Sequence, residues 1–267
     1  MQTQTPNFNA QALRKTVLDM AYAGSTVHIG CAFSIIELLA VLYRNHLRYP
    51  GNDPMAAGRD YFVLSKGHGV MAQYACMREL GWLKDEAFSA YFADGSDLKG
   101  LSDSRVPGLE VTSGSLGHGF SVGVGMAMGA KLRGTDQKTF ALVGDGEINE
   151  GPIWEGSLFA AHHELKNFMV IVDENGFQAM GSTQEVLKLG SIQAKFESFG
   201  FDDLSRGGAG GEEFGEDFLG LGSVDLPVIH QTSEFAEMRR GDGVLGKRQA
   251  GGAVAPTSRR ALAQPRY

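Results

Sequence analysis

The sequence predicts an α/β fold, a parallel sheet flanked by helices, on three observations. Lys138 to Phe177 reads strand, turn, helix, strand, the pattern of a right-handed βαβ unit. DYFVL, Asp60 to Leu64, is an apolar run of strand length followed by a helical segment. The composition, 43% hydrophobic and 21% charged over 267 residues, suits one large domain or one domain with an appendage.

The elements follow in order. Asn9 to Tyr22 carries Leu13, Val17, Leu18 and Tyr22 at helical spacing. Ser34 is placed to cap the next helix, IIELLAVLYRNHL, with Glu37 as its capping-box partner. DYFVL is a buried strand, and SKGHG turns the chain into a helix from Val70 to Leu80. LGWLKDEAFSAYF is a turn and a short helix; Asp94 to Leu109 is a long polar loop, a length often tied to function. The second half of TSGSLGHGFSVGVGMAMGAKLRG is a helix rich in glycine. Exposed glycines cost a helix about 1 kcal/mol each, so they signal close packing, inside the chain or against a second protomer. KTFALV is a strand, GDGEINEG a turn, PIWEGSLFAAHHEL a helix with Pro152 suited to its first turn, and NFMVIVDENGF a strand and turn. From about Asp202 the glycine content rises and periodicity weakens; LPVIH alone reads as a short strand. Residues 1–201 are therefore expected to form the α/β domain. Residues 202–267 are a divergent segment that either completes the sheet or lacks a packed fold.

The totals exclude some classes. A formal net charge of -7 speaks against a nucleic-acid surface. Cys31 and Cys76 make no disulfide framework. MQTQTPNFNA has no apolar signal core, and no stretch approaches the roughly 20 apolar residues of a membrane span. The expected location is the cytoplasm. No GxGxxG opens a helix after a strand, which disfavours dinucleotide binding.

The chemistry centres on GDGEINEG. In parallel sheets ligands sit at the carboxyl ends of the strands. Asp145 follows one strand and Asn175, thirty residues on, follows the next, so both face one edge. Asp145 offers a hard anionic oxygen, Asn175 an amide oxygen and Phe177 a backbone carbonyl, a donor set suited to Mg2+ that also carries phosphate. Gly144 and Gly146 let the backbone approach a phosphate closely. Alone, GDG fits any tight turn equally well. The pairing with VDENG on the next strand end is what makes it specific.

This arrangement resembles the diphosphate-binding motif of thiamine-diphosphate enzymes. With HIG (His28 to Gly30), VLSKGHG (Val63 to Gly69) and LEVTSGSLGHG (Leu109 to Gly119), roughly Ala10 to Gly200 is similar to the N-terminal half of transketolase. It is most similar to the N-terminal subunit found where transketolase is split over two chains. The resemblance implies a thiamine-diphosphate-binding fold in which Asp145, Asn175 and the Phe177 carbonyl hold Mg2+. Gly144, Gly146 and Glu147 would lie at the diphosphate turn, and Gly114 to Leu116 along the cofactor rings, with His118 nearby. His68 would contact diphosphate and His28 the substrate; Glu150 would join an acid network at the subunit interface. Histidine suits such roles because it exchanges a proton near neutrality. His28 and His68 read equally as ordinary loop histidines, and Glu150 as a helix cap.

The implied reaction passes a two-carbon ketol unit from a ketose to an aldose. The family's activating glutamate belongs to a pyrimidine-binding domain for which this chain has no room. A C-terminal transketolase subunit would therefore complete the site, giving an α2β2 assembly by analogy. The rival readings are a 2-oxo acid dehydrogenase or decarboxylase component, which His28 and SKGHG disfavour, and a non-catalytic partner subunit. Two departures stand out. KGLSD, Lys99 to Asp103, puts Leu101 where many members carry a substrate-facing histidine, which favours a less hydroxylated or modified ketose. After Asp202 neither further sheet nor a KGKG-like segment is recognisable; GDGVLGKRQAGG stands in its place.

Overall fold

The computed structural model describes residues 6, 8–26, 28–203 and 227–232. In chain order, helices α1 (Ala10–Ala23), α2 (Ile29–Phe33) and α3 (Ile36–Val41) lead to strand β1 (Tyr61–Leu64). Helices α4 (Val70–Glu79), α5 (Asp85–Ser89) and α6 (His118–Arg133) precede β2 (Thr139–Gly144), α7 (Gly151–His162) and β3 (Phe168–Glu174). A small hairpin, β4 (Phe177–Gln178) and β5 (Gly181–Ser182), is followed by α8 (Thr183–Val186), α9 (Ile192–Ser198), β6 (Asp202–Asp203) and β7 (Pro227–Thr232).

Among the described residues the main sheet has five strands in the order β1-β2-β3-β7-β6, every neighbouring pair parallel. The central strands bury both faces. Phe140, Leu142, Met169 and Ile171 join Phe62 and Leu64 in a cluster with Leu13 and Val17 of α1 and Met71 and Tyr74 of α4. Their alternates Ala141, Val143, Phe168, Val170 and Val172 pack with Phe120 and Val124 of α6, Ile153 of α7 and Phe196 of α9. Helices thus cover the sheet on both sides, which is why these strands read as unbroken apolar runs.

β7 bears out the short strand read at LPVIH and corrects the expectation that no further sheet follows Asp202. PVIH, Pro227 to His230, opens β7, which pairs along β3 from Val170–Val228 to Glu174–Thr232; Leu226 lies outside the described residues. The sheet therefore continues past Asp202, although weak periodicity hid it; GDGVLGKRQAGG and the rest of the 202–267 segment outside β6 and β7 lie outside the described residues.

Two helix expectations also change. The buried row of α1 is Leu13, Val17, Met20 and Ala21, whereas Leu18 and Tyr22 point to solvent. The steps from Leu13 of four, seven and eight residues trace one face; Leu18 and Tyr22 lie about 100° around from Val17 and Ala21. Ser34 does not cap α3, whose cap position is Ile35 with no side-chain hydrogen bond. Its hydroxyl is drawn inward to Asp173 at 2.6 Å. Glu37 pairs with Arg14 instead. On α6 the close packing is internal at Gly119 and Gly123: a Cβ at Gly119 would lie 2.6 Å from the Ser65 backbone, and one at Gly123 3.2 Å from the Phe168 ring.

Candidate cofactor site

Strand register builds the site. Gly144, the last residue of β2, lies beside Asp173 of β3, so the loops beginning at Asp145 and Asn175 leave from the same edge. The two loops are tied together. The Gly176 N–H donates to Asp145 Oδ2 at 2.7 Å, the Gly146 N–H donates to Oδ1 at 2.8 Å, and the Asp145 N–H donates to the Asp173 carbonyl at 3.1 Å. Asp145 is 2% exposed. Burial raises its carboxyl to about 6, against the opposing pull of the Gly176 and Gly146 hydrogen bonds.

Asn175 is fixed at both ends of its amide. Its Oδ1 accepts from the Phe177 N–H at 2.9 Å and its Nδ2 donates to Asp173 Oδ2 at 2.9 Å. A carbonyl oxygen has a second lone pair, so Asn175 Oδ1 and both Asp145 oxygens keep acceptor capacity. These are hard oxygen donors of the kind Mg2+ takes. Gly146 is required by space, since a Cβ there would stand 2.7 Å from the Gln178 side chain.

The remaining expected residues separate into groups. Glu147 is not available as a ligand. It is 2% exposed, with Oε1 accepting from the Ser65 hydroxyl and, at 2.8 Å, from the Gly117 N–H, while Oε2 accepts from the Gly144 N–H at 3.2 Å. It braces the ends of β1 and β2 against the start of α6, because a buried carboxylate must collect donors. His68 follows β1 in a 3-10 turn, Gly67–Gly69, and its ring centroid is 5.5 Å from that of His28. Burial, then Lys66 and His28, lower the His68 pKa to about 4, so it is neutral at pH 7. His28 is exposed with φ 72, a left-handed conformation uncommon outside glycine though less so for histidine than for most residues. Gly114 has φ 149, and a Cβ there would meet Leu101 Cδ1 at 2.9 Å, so Leu101 lies directly against Gly114. Leu116 is half-buried; His118, exposed at the first turn of α6, has Nδ1 3.3 Å from the Ser115 carbonyl. Glu150 precedes α7, is exposed, and makes no capping hydrogen bond with its side chain.

Sequence reasoning missed three members of this edge. Lys66, 2% exposed, forms an ion pair with fully buried Asp173, and Asp173 Oδ2 also accepts from Ser34. The signal was present: a lysine in SKGHG and an aspartate in VDENG close apolar strands, where a charge needs a partner.

A parallel sheet with a glycine-bounded carboxylate tied to an asparagine loop at its carboxyl edge is the architecture of an α/β coenzyme-binding domain. The chain belongs to the family described as transketolase, thiamine diphosphate binding domain, which it matches over residues 6–214. It is 39% identical over 208 residues to an apulose-4-phosphate transketolase subunit of Phocaeicola vulgatus, covering 78% of this chain and 74% of that one. It is 35% identical over 205 residues to the 6-deoxy-6-sulfo-D-fructose transketolase subunit SqwG of a Clostridium species, covering 76% and 74%. Among solved structures, transketolase from Campylobacter jejuni superposes with a TM-score of 0.76 at 27% identity over 87% of this chain, and that from Leishmania mexicana with 0.74 at 28% over 84%. The chain spans only 38% and 36% of those two proteins. No helix among the described residues is long and apolar enough to cross a membrane.

Proposed function

We propose that this chain is the thiamine-diphosphate-binding subunit of a two-component transketolase, acting with Mg2+ and a pyrimidine-binding partner, in an α2β2 assembly in the cytoplasm. The tie between Asp145 and Gly176 carries the reading, because it brings the two metal-binding loops together at one sheet edge. Asp145, Asn175 and the Phe177 carbonyl hold Mg2+, and through it the diphosphate. Gly144 and Gly146 admit the phosphate, and Gly114 to Leu116 wall the rings beside His118. When bound, the cofactor supplies the carbanion chemistry of ketol transfer. Neutral His68 donates or accepts a hydrogen bond without adding charge beside a buried lysine, and His28, next to it, orients the substrate. Glu150 faces the partner. Exposed Met180, Val186 and Leu187, just past the metal loops, lie where a partner would cover them.

Leu101 against Gly114 removes a polar contact from the sugar side. The relatives named for apulose-4-phosphate and 6-deoxy-6-sulfo-D-fructose act on unusual ketoses, and a modified ketose is the proposed donor here. The test is to co-purify the chain with its C-terminal partner and assay ketol transfer. Activity needs both chains, thiamine diphosphate and Mg2+; turnover by this chain alone, or by the pair without cofactor, would refute the proposal.

A further inference from the structure

We propose that Asp173, held by Lys66 and Ser34, is a positioning residue that sets which way the Asn175 amide points. The inference rests on the reading of Asn175 as a metal ligand.

An asparagine amide has two ends of similar size and opposite polarity. Only the oxygen end binds a hard cation. Here Asp173 Oδ2 accepts from Asn175 Nδ2 at 2.9 Å, and an amide flipped by half a turn would point its oxygen at that carboxylate. Repulsion between the two oxygens forbids the flip. The Phe177 N–H, donating to Oδ1 at 2.9 Å, agrees with the same orientation. Asp173 itself is fully buried and cannot turn freely: the Ser34 hydroxyl donates to the same Oδ2 at 2.6 Å, and the Lys66 ammonium pairs with it. Lys66 also reaches the Ser34 hydroxyl at 3.3 Å. The ion pair compensates the Asp173 charge, which leaves Asp145 as the aspartate of this pair of loops with a charge to offer a cation. Three distant parts of the chain, before α3, after β1 and within β3, thereby converge on one amide.

Removing Asp173 alone would strand a buried ammonium, so the charge is removed on both sides. The variants are Lys66→Met with Asp173→Asn, which keeps an oxygen able to accept from Asn175, and Lys66→Met with Asp173→Val, which does not. Each is prepared with thiamine diphosphate and its C-terminal partner. Free Mn2+, standing in for Mg2+, is titrated by electron paramagnetic resonance, with melting temperature measured in parallel. Outer partners of metal ligands typically change affinity about 10- to 100-fold, and the valine variant is expected to bind Mn2+ at least about tenfold more weakly than the asparagine variant at similar melting temperature. Equal affinities overturn the proposal. Should neither double variant fold, Ser34→Ala decides: a several-fold loss supports it and unchanged affinity overturns it. Asn175→Ala separates the two levels. Binding unchanged in that variant removes the metal-ligand reading as well, whereas binding lost there with equal affinities in the double variants removes the positioning role alone.

Discussion

The Gly176 N–H donates to Asp145 Oδ2 at 2.7 Å, joining the loop after β2 to the loop after β3. One buried carboxylate thus ties the loops that follow two neighbouring strands and keeps lone pairs to spare. Asp145→Ala is expected to abolish Mg2+-dependent thiamine diphosphate binding, a loss on the order of a hundredfold or more, since it removes the anionic oxygen of the proposed ligand set. Calorimetry with the partner present measures this.

The same carboxyl gives a pH dependence. Burial raises it from 3.8 to about 6, and the cation takes the ionised form, so protons compete with metal below that value. Metal affinity should be flat above pH 6 and fall about tenfold per unit below it. Stability without metal runs the opposite way. A folded pKa above the unfolded one stabilises the fold at low pH, and that contribution is lost as pH rises through about 6. Mn2+ titrations and melting curves from pH 5 to 8 read both slopes.

Glu147→Ala should damage the fold rather than the ligand. It leaves the Ser65 hydroxyl and the Gly117 and Gly144 amides without their acceptor. A loss of about 3 kcal/mol is expected from urea unfolding, with weaker cofactor binding only as a consequence.

His28 carries backbone strain at φ 72. His28→Gly should raise stability by up to about 1 kcal/mol while lowering ketol transfer, because the left-handed conformation costs about 1–2 kcal/mol for a side chain and the imidazole is lost. Thermal melting and steady-state kinetics on one preparation separate the effects.

Leu101→His tests donor choice. The new imidazole would stand over Gly114 on the sugar side, and the expected outcome is a shift of kcat/KM toward ordinary ketose phosphates. An unchanged donor preference would refute the role given to Leu101.

The βαβ core was legible because each strand buries both faces and therefore reads as an apolar run. The turns were legible because Asp145 and Asn175 sit among glycines. Ser34 was misread because the serine-to-glutamate spacing of a cap says nothing of a buried aspartate 139 residues away. Lys66 and Asp173 stood inside recognisable motifs, yet their pairing is a product of strand order. Glu147 looked like part of the ligand set because its donors come from three separate segments. β7 was legible as the short strand LPVIH, but its pairing with β3 was not, because strand order is not written in a segment's own periodicity.

The central claim is most directly tested by calorimetric titration of thiamine diphosphate into the two-chain complex, with and without Mg2+, for the natural chain and for Asp145→Ala with Asn175→Ala. Binding that requires Mg2+ and vanishes in the double variant is the predicted result. Cofactor bound equally tightly by both, or without any divalent ion, would contradict it.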